Sequence, residues 1–306
     1  MKIFGLSPEI ALAKVAGVPE EYEKDFGKEI LKLTESTSFI IQENTPEVFS
    51  NVVEDGSKIH LEEKAAQEFS EEFKLNLKAP PAHGTLSHAL EDVYSSEILD
   101  IIELTTGQRF IYDYERFKLT NFAYRGDELK FHLKSVKPLK GNKKGADLNI
   151  YCLNQDKQVV MDIMKLQLRP RYQRLGEEGI NKFFEERILF DYEIRIGYDK
   201  TAKYNDYTGR PGRYKFRRSL ATSCVPASLL QLCQIKTGDM KGINRQMEIF
   251  FYSQPTIGII KTSIKNRTPP KGRDDKWVYN FEALSVQNNK AILGAKFKAT
   301  SDGDLG

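Results

Sequence analysis

Apolar side chains recur every three to four residues through the first third of the chain, and roughly every second residue through most of the remainder. Tyr22, Phe26, Ile30 and Leu33 are spaced for one face of a helix, with Glu and Lys between them. Leu61, Ala65, Phe69 and Phe73 form a second such stripe. Leu86, Leu90, Val93, Tyr94, Ile98, Ile101 and Ile102 form a third and longer one. All three read as the inward faces of core helices. Ser7-Pro8-Glu9 predicts a helix start: a capping hydroxyl, proline at the first helical position and an acid in the first turn. Gly17 then ends that helix and Pro19 opens the next. Residues 78–84, Lys-Ala-Pro-Pro-Ala-His-Gly, break the chain before the longest stripe.

The period changes after Thr106-Gly107. Strands are predicted over 109–114, 128–136, 147–153, 158–168, 189–198, 246–252, 256–264, 277–286 and 291–299. Asn288-Asn289 reads as a hairpin turn, because Asn tolerates positive φ. Two helices interrupt the strands, at 179–187 and from about Pro226 to Lys236. The fold class is therefore α+β: an acidic α-helical N-terminal region, then a mainly antiparallel β domain with two helical insertions. The boundary is placed at 106, giving an acidic assembly or regulatory domain at 1–106 and a basic, strand-rich binding domain at 107–306. No internal repeat is visible.

Charge sharpens that division. The 306 residues carry a net +3. Residues 1–105 hold nine lysines, no arginine and twenty-one acids, whereas all fifteen arginines lie from Arg109 onward. The first part is thus at −12 and the second at +15. Such asymmetry implies different partners for the two parts, or that they partner each other.

The most distinctive basic stretch is 198–218. Lys200, Lys203, Arg210, Arg213, Lys215, Arg217 and Arg218 alternate there with Tyr198, Tyr204, Tyr207, Tyr214 and Phe216. Guanidinium groups fork onto phosphates and aromatic rings stack on unpaired bases, so the stretch reads as a binding loop for single-stranded RNA or DNA. Arg169, Arg171, Tyr172 and Arg174, with Lys165, read as a second contact. Lys143 and Lys144 read as a third, and Lys265, Arg267, Lys271 and Arg273 as a fourth. The leading expectation is a non-enzymatic nucleic-acid-binding protein, a nucleoprotein or movement-type protein of viral or phage kind, forming homo-oligomers. One alternative is a structural protein whose acidic and basic regions hold an oligomer together. Another is a metal-dependent nuclease using Asp113, Glu128 and Lys130, in which two carboxylates hold Mg²⁺ and the lysine orients water.

Other chemistry has little support. His60, His83, His88 and His132 show no metal spacing, and Cys152, Cys224 and Cys233 form no Cys-x-x-Cys pair. Cys224 and Cys233 read as core. No P-loop, dinucleotide fingerprint or serine-hydrolase elbow is present, so no cofactor or metal is expected. Pro8 and Glu9 interrupt any leader-like start, and no apolar run spans a membrane. A cytoplasmic or nuclear protein without a signal peptide is expected.

Overall fold

A computed structural model describes residues 5–53, 57–82, 84–140, 144–207, 218–237, 243–273, 276–301 and 305. Four helices, α1 (Pro8–Ala16), α2 (Glu23–Ser36), α3 (Thr45–Val53) and α4 (Glu63–Glu72), precede the long α5 (Gly84–Thr106). A three-residue strand, β1 (Ser38–Ile40), lies among them. Then come β2 (Ile111–Leu119), β3 (Glu128–Pro138), β4 (Ala146–Leu153) and β5 (Val159–Arg169). The remainder runs α6 (Glu177–Phe184), β6 (Phe190–Ile196), α7 (Tyr198–Tyr207), α8 (Arg218–Thr237), β7 (Ile243–Phe251), β8 (Gly258–Arg273), β9 (Lys276–Gln287) and β10 (Lys290–Ser301).

The ten strands form one antiparallel sheet in the order β1-β3-β4-β5-β2-β7-β10-β9-β8-β6. Read inward from either edge, the order is the same: first strand, third, fourth, fifth, second. In each half a long helix, α5 or α8, separates the outer strand from the strand at the middle. The chain is therefore built twice over on one plan, a repeat that sequence inspection misses because no residue pattern is shared. The halves meet where β2 pairs with β7, with Tyr114 opposite Phe250 and Arg116 opposite Glu248. Tyr114 and Phe250 touch edge to face at 5.1 Å. One apolar core runs through both halves and takes in α1, α2, α3, α5 and α8.

Local chemistry explains many boundaries. Ser7 caps α1 by accepting from the Ile10 N–H, and Gly17 ends it in the left-handed region. Asn288 and Asn289 adopt φ of 50° and 58° and make the two-residue β9–β10 turn. The helix predicted from Pro226 begins eight residues earlier, at Arg218. Proline favours the first helical turn, but burial of Leu220, Ala221, Cys224 and Val225 holds the helix through it. Strand β8 continues to Arg273, so Lys265 and Arg267 belong to a strand and not to a loop.

Helix α5 runs antiparallel along β2. Gly84 faces Leu119, His88 and Glu91 face Glu115, and the Tyr112 hydroxyl donates to the Ser95 carbonyl at 3.0 Å. A Cβ on Gly84 would lie 2.3 Å from Leu119 Cδ1, so any larger residue there would displace the end of that side chain. The other side of α5 carries the predicted apolar stripe. Tyr94 stacks on Phe131 at 5.7 Å and its hydroxyl lies 2.7 Å from Thr34 Oγ1. Burial pushes the Tyr94 phenol up to about 12.

Candidate active site

The segment entering α5 is held by main-chain bonds. Ala82 N–H donates to the Ala123 carbonyl at 2.7 Å, and Pro81 bridges to Tyr124. The β2–β3 connection is itself anchored, because Arg125 reaches Glu43 at 2.8 Å and Glu47 at 2.6 Å. His60 ends a short 3-10 turn, Lys58–His60, and its Nδ1 lies 2.8 Å from the Pro81 carbonyl oxygen. A carbonyl only accepts, so Nδ1 carries the proton and the lone pair sits on Nε2. This half-buried imidazole therefore lies against Pro81, three residues before the start of a 23-residue helix. The first N–H groups of that helix have no partners within it and concentrate its positive dipole end.

Beside the same end of α5 lies a cleft of about 980 Å³. Its apolar wall comes from Phe39, Ile40 and Ile41, Val48 and Val52 of α3, and Leu86 and Leu90 of α5. Helix α7 of the other half supplies Asp199, Lys200, Lys203 and Asp206 along the rim. His60 does not line this cleft: it contacts Pro81, before α5, whereas Leu86 and Leu90 of α5 line the cleft. The arrangement offers a base, a helix N-terminus able to stabilise negative charge, and an apolar channel with a charged rim.

Among the described residues, those expected to hold nucleic acid lie on several different elements. Residues 198–207 form helix α7 and not a loop, and Tyr204 is buried against Phe49 at 6.0 Å. Lys203 is exposed on that helix, and Tyr207 ends it. Arg218 opens α8, and Lys143, Arg210, Arg213, Tyr214, Lys215 and Arg217 lie outside the described residues. Arg169 pairs with the buried Asp113 at 3.1 Å and Lys165 with Asp147 at 3.3 Å. Lys265 is buried and pairs with Glu186 at 3.2 Å. Tyr172 packs against the core, while Arg171, Arg174 and Lys144 are exposed. The charges of Arg169 and Lys165 are thus spent on acids of neighbouring strands.

The three residues of the nuclease reading are also dispersed. Glu128 and Lys130 do pair, at 3.1 Å, but they lie on β3, which β4 and β5 separate from Asp113 on β2. Three strand spacings put them on the order of 14 Å apart. Asp113 is the extra residue of a bulge in β2 opposite β5, which turns its carboxyl to Arg169. Burial pushes that carboxyl up to about 6, against the pull of Arg169.

Sequence reasoning passed over His60, finding only that it has no metal-ligand spacing. Its single legible signal was position, on the N-terminal side of the breaker at 78–84. The buried polar residues of α5, His88, Glu91, Asp92 and Ser95, were hidden by the stronger apolar stripe.

No family model matches the chain, and no curated protein matches it by sequence. Solved structures do share the fold. A conserved hypothetical protein of Mycobacterium tuberculosis, described as having a double hotdog fold, matches with a TM-score of 0.59 and 11% identity over 87% of this chain and 94% of that one. A MaoC domain protein and candidate dehydratase from Chloroflexus aurantiacus matches at 0.59 and 10% identity, over 86% and 92%. A MaoC-like dehydratase matches at 0.55 and 10% identity, over 85% and 94%. The fold is thus the double hotdog, which accounts for the strand order repeated in each half. Two of these three structures are described as dehydratases. The double hotdog likenesses overturn the expectation of a viral or phage nucleoprotein with single-stranded RNA or DNA as its partner. Among the described residues no helix is long and apolar enough to cross a membrane.

Proposed function

We propose that the chain is a hydratase or dehydratase that adds or removes water at an acyl thioester. The observation that carries the reading is His60, held by Pro81 with its lone pair on Nε2 at the N-terminus of α5. The double hotdog fold, shared with structures described as MaoC-like dehydratases, supports it.

In the dehydration direction, His60 Nε2 takes the proton from the carbon next to the thioester carbonyl. The electrons of that C–H bond form the C=C bond while the C–O bond to the β-hydroxyl breaks, and the hydroxyl leaves with a proton as water. Negative charge grows on the carbonyl oxygen during the step. The first-turn N–H groups of α5 are the donors that meet it. Asp55, five residues before His60 and outside the described residues, and Glu62, two after it, are the candidates for the acid that protonates the leaving hydroxyl. The acyl chain would lie in the apolar cleft along α3 and α5.

The unit of function in this reading is the whole chain. Residues 1–106, taken from sequence as an assembly domain, instead supply β1, α5 and His60, and 107–306 supply the rest of the sheet. A cytoplasmic or nuclear setting belongs to the same reading, supported by the buried thiols of Cys152, Cys224 and Cys233. The test is hydration of short- and long-chain enoyl thioesters, followed by loss of the conjugated chromophore. Turnover that disappears in His60→Ala supports the proposal. Absence of turnover across chain lengths, or turnover unchanged in His60→Ala, overturns it.

A further inference from the structure

We propose that His88, Glu91 and Glu115 form a buried site for one divalent transition-metal ion, of zinc type, between α5 and β2. Among the described residues they are the one group of three whose ligating atoms all lie within 4.8 Å of one another. All three side chains are buried. His88 and Glu91 stand at i and i+3 and so share one face of α5. Glu115 faces them from the strand, with its Oε2 2.9 Å from His88 Nε2.

The second observation is the other oxygen of Glu115. Oε1 is buried and has no hydrogen-bond partner among the described residues. Leaving a buried carboxylate oxygen unsatisfied is costly. A cation bound by Glu115 and its two neighbours meets that demand. Three atoms within 4.8 Å of one another lie at most about 2.8 Å from a common centre. Bonds of about 2.0–2.2 Å to zinc then need only small inward shifts. One imidazole nitrogen and two carboxylate oxygens are donors that suit zinc and its first-row neighbours, and are too few oxygens for calcium. A water molecule would complete the four-coordinate shell.

The ligands are also held in place. The His88 ring stacks on Phe117 at 5.1 Å, and Glu115 sits on a strand paired on both sides, opposite Leu166 of β5 and Ile249 of β7. The ion would therefore pin α5 to the strand at which the two halves join. This site is separate from His60, and its test does not depend on the proposed hydration activity.

The full chain is refolded from urea with Zn²⁺ or Co²⁺, dialysed against EDTA and analysed for metal. Because the site is buried, the folded wild type should retain about one ion per chain and release it on unfolding. Its thermal midpoint should exceed that of chain refolded with chelator. Glu115→Gln, which keeps the side-chain shape, should weaken binding by more than the roughly 10–100-fold that loss of an outer-shell partner costs. A folded wild type that retains no zinc, or equal retention by Glu115→Gln, overturns the site. Should Glu115→Gln fail to fold, the Co²⁺ spectrum of the wild type decides. Bands of a nitrogen and oxygen shell support the proposal, whereas thiolate-to-cobalt charge transfer would place the ion on cysteine and overturn it.

Discussion

The Nδ1 of His60 and the main-chain oxygen of Pro81 lie 2.8 Å apart, although 21 residues separate them in sequence. The bond sets the tautomer and places the ring before the dipole of α5. Removing the imidazole should lower hydration by about 10²–10⁴-fold, the usual share of a positioned base. His60→Ala should leave far-UV circular dichroism and the unfolding midpoint close to wild type, since the ring is only half-buried. Steady-state kinetics on an enoyl thioester makes the comparison. A fall in turnover at unchanged KM would locate the loss in the chemical step.

Gly84 lies against the end of the Leu119 side chain. Gly84→Ala puts a methyl group where Leu119 Cδ1 stands, at 2.3 Å. The Leu119 side chain must turn aside or the helix end must lift, at about 1–3 kcal/mol. Leu119→Ala should relieve the clash, so the double variant should be less destabilised than the two single losses added together. Urea titrations of the four proteins form the cycle. Strict additivity would mean that the two residues do not press on each other.

Much of the fold is legible in sequence because it is written in period and turn chemistry. All nine strands predicted beyond residue 106 overlap observed ones, and Ser7, Gly17 and Asn288-Asn289 end their elements as their backbone preferences dictate. The duplication is not legible, since it lies in strand order, and strand order is set by long-range pairing that leaves no local period. Function was misread for a related reason. Lys165, Arg169 and Lys265 look like phosphate ligands in one dimension, but folding sets each against an acid. His60 becomes a candidate base only because folding brings it to Pro81 and the start of α5.

Asp113 should give the protein a measurable dependence on mild acid. Burial raises its folded-state value to about 6, above the ordinary carboxylate value of 3.8. Between those values the folded chain holds more of this proton than the unfolded chain does. Stability contributed by this group therefore falls as pH rises from about 4 to about 6, by on the order of 2–3 kcal/mol, and is level above that. Asp113→Asn should remove the decline, and Arg169 keeps its bond to Gln167 Oε1 at 2.7 Å. Urea midpoints measured across that pH range test the sign. A wild-type curve that rises where this one should fall would mean that Arg169 outweighs burial.

Lys265 tests how a buried cation is held at the α6–sheet junction. Its ammonium lies 3.2 Å from Glu186 and 3.8 Å from Glu282, donates to the Phe183 carbonyl at 3.3 Å, and sits 4.3 Å from the Phe183 ring centroid. Both carboxylates reach water, with side-chain exposures of 60% and 31%. Losing the ammonium therefore strands no buried charge, and the Coulombic loss is small. The stem and the ring contact should dominate instead. Lys265→Ala, which empties the space over Phe183, should cost about 1–3 kcal/mol, whereas Lys265→Met, which refills it, should cost distinctly less. Denaturation midpoints of the two variants separate packing from charge: equal losses would assign the stability of this junction to the ion pairs.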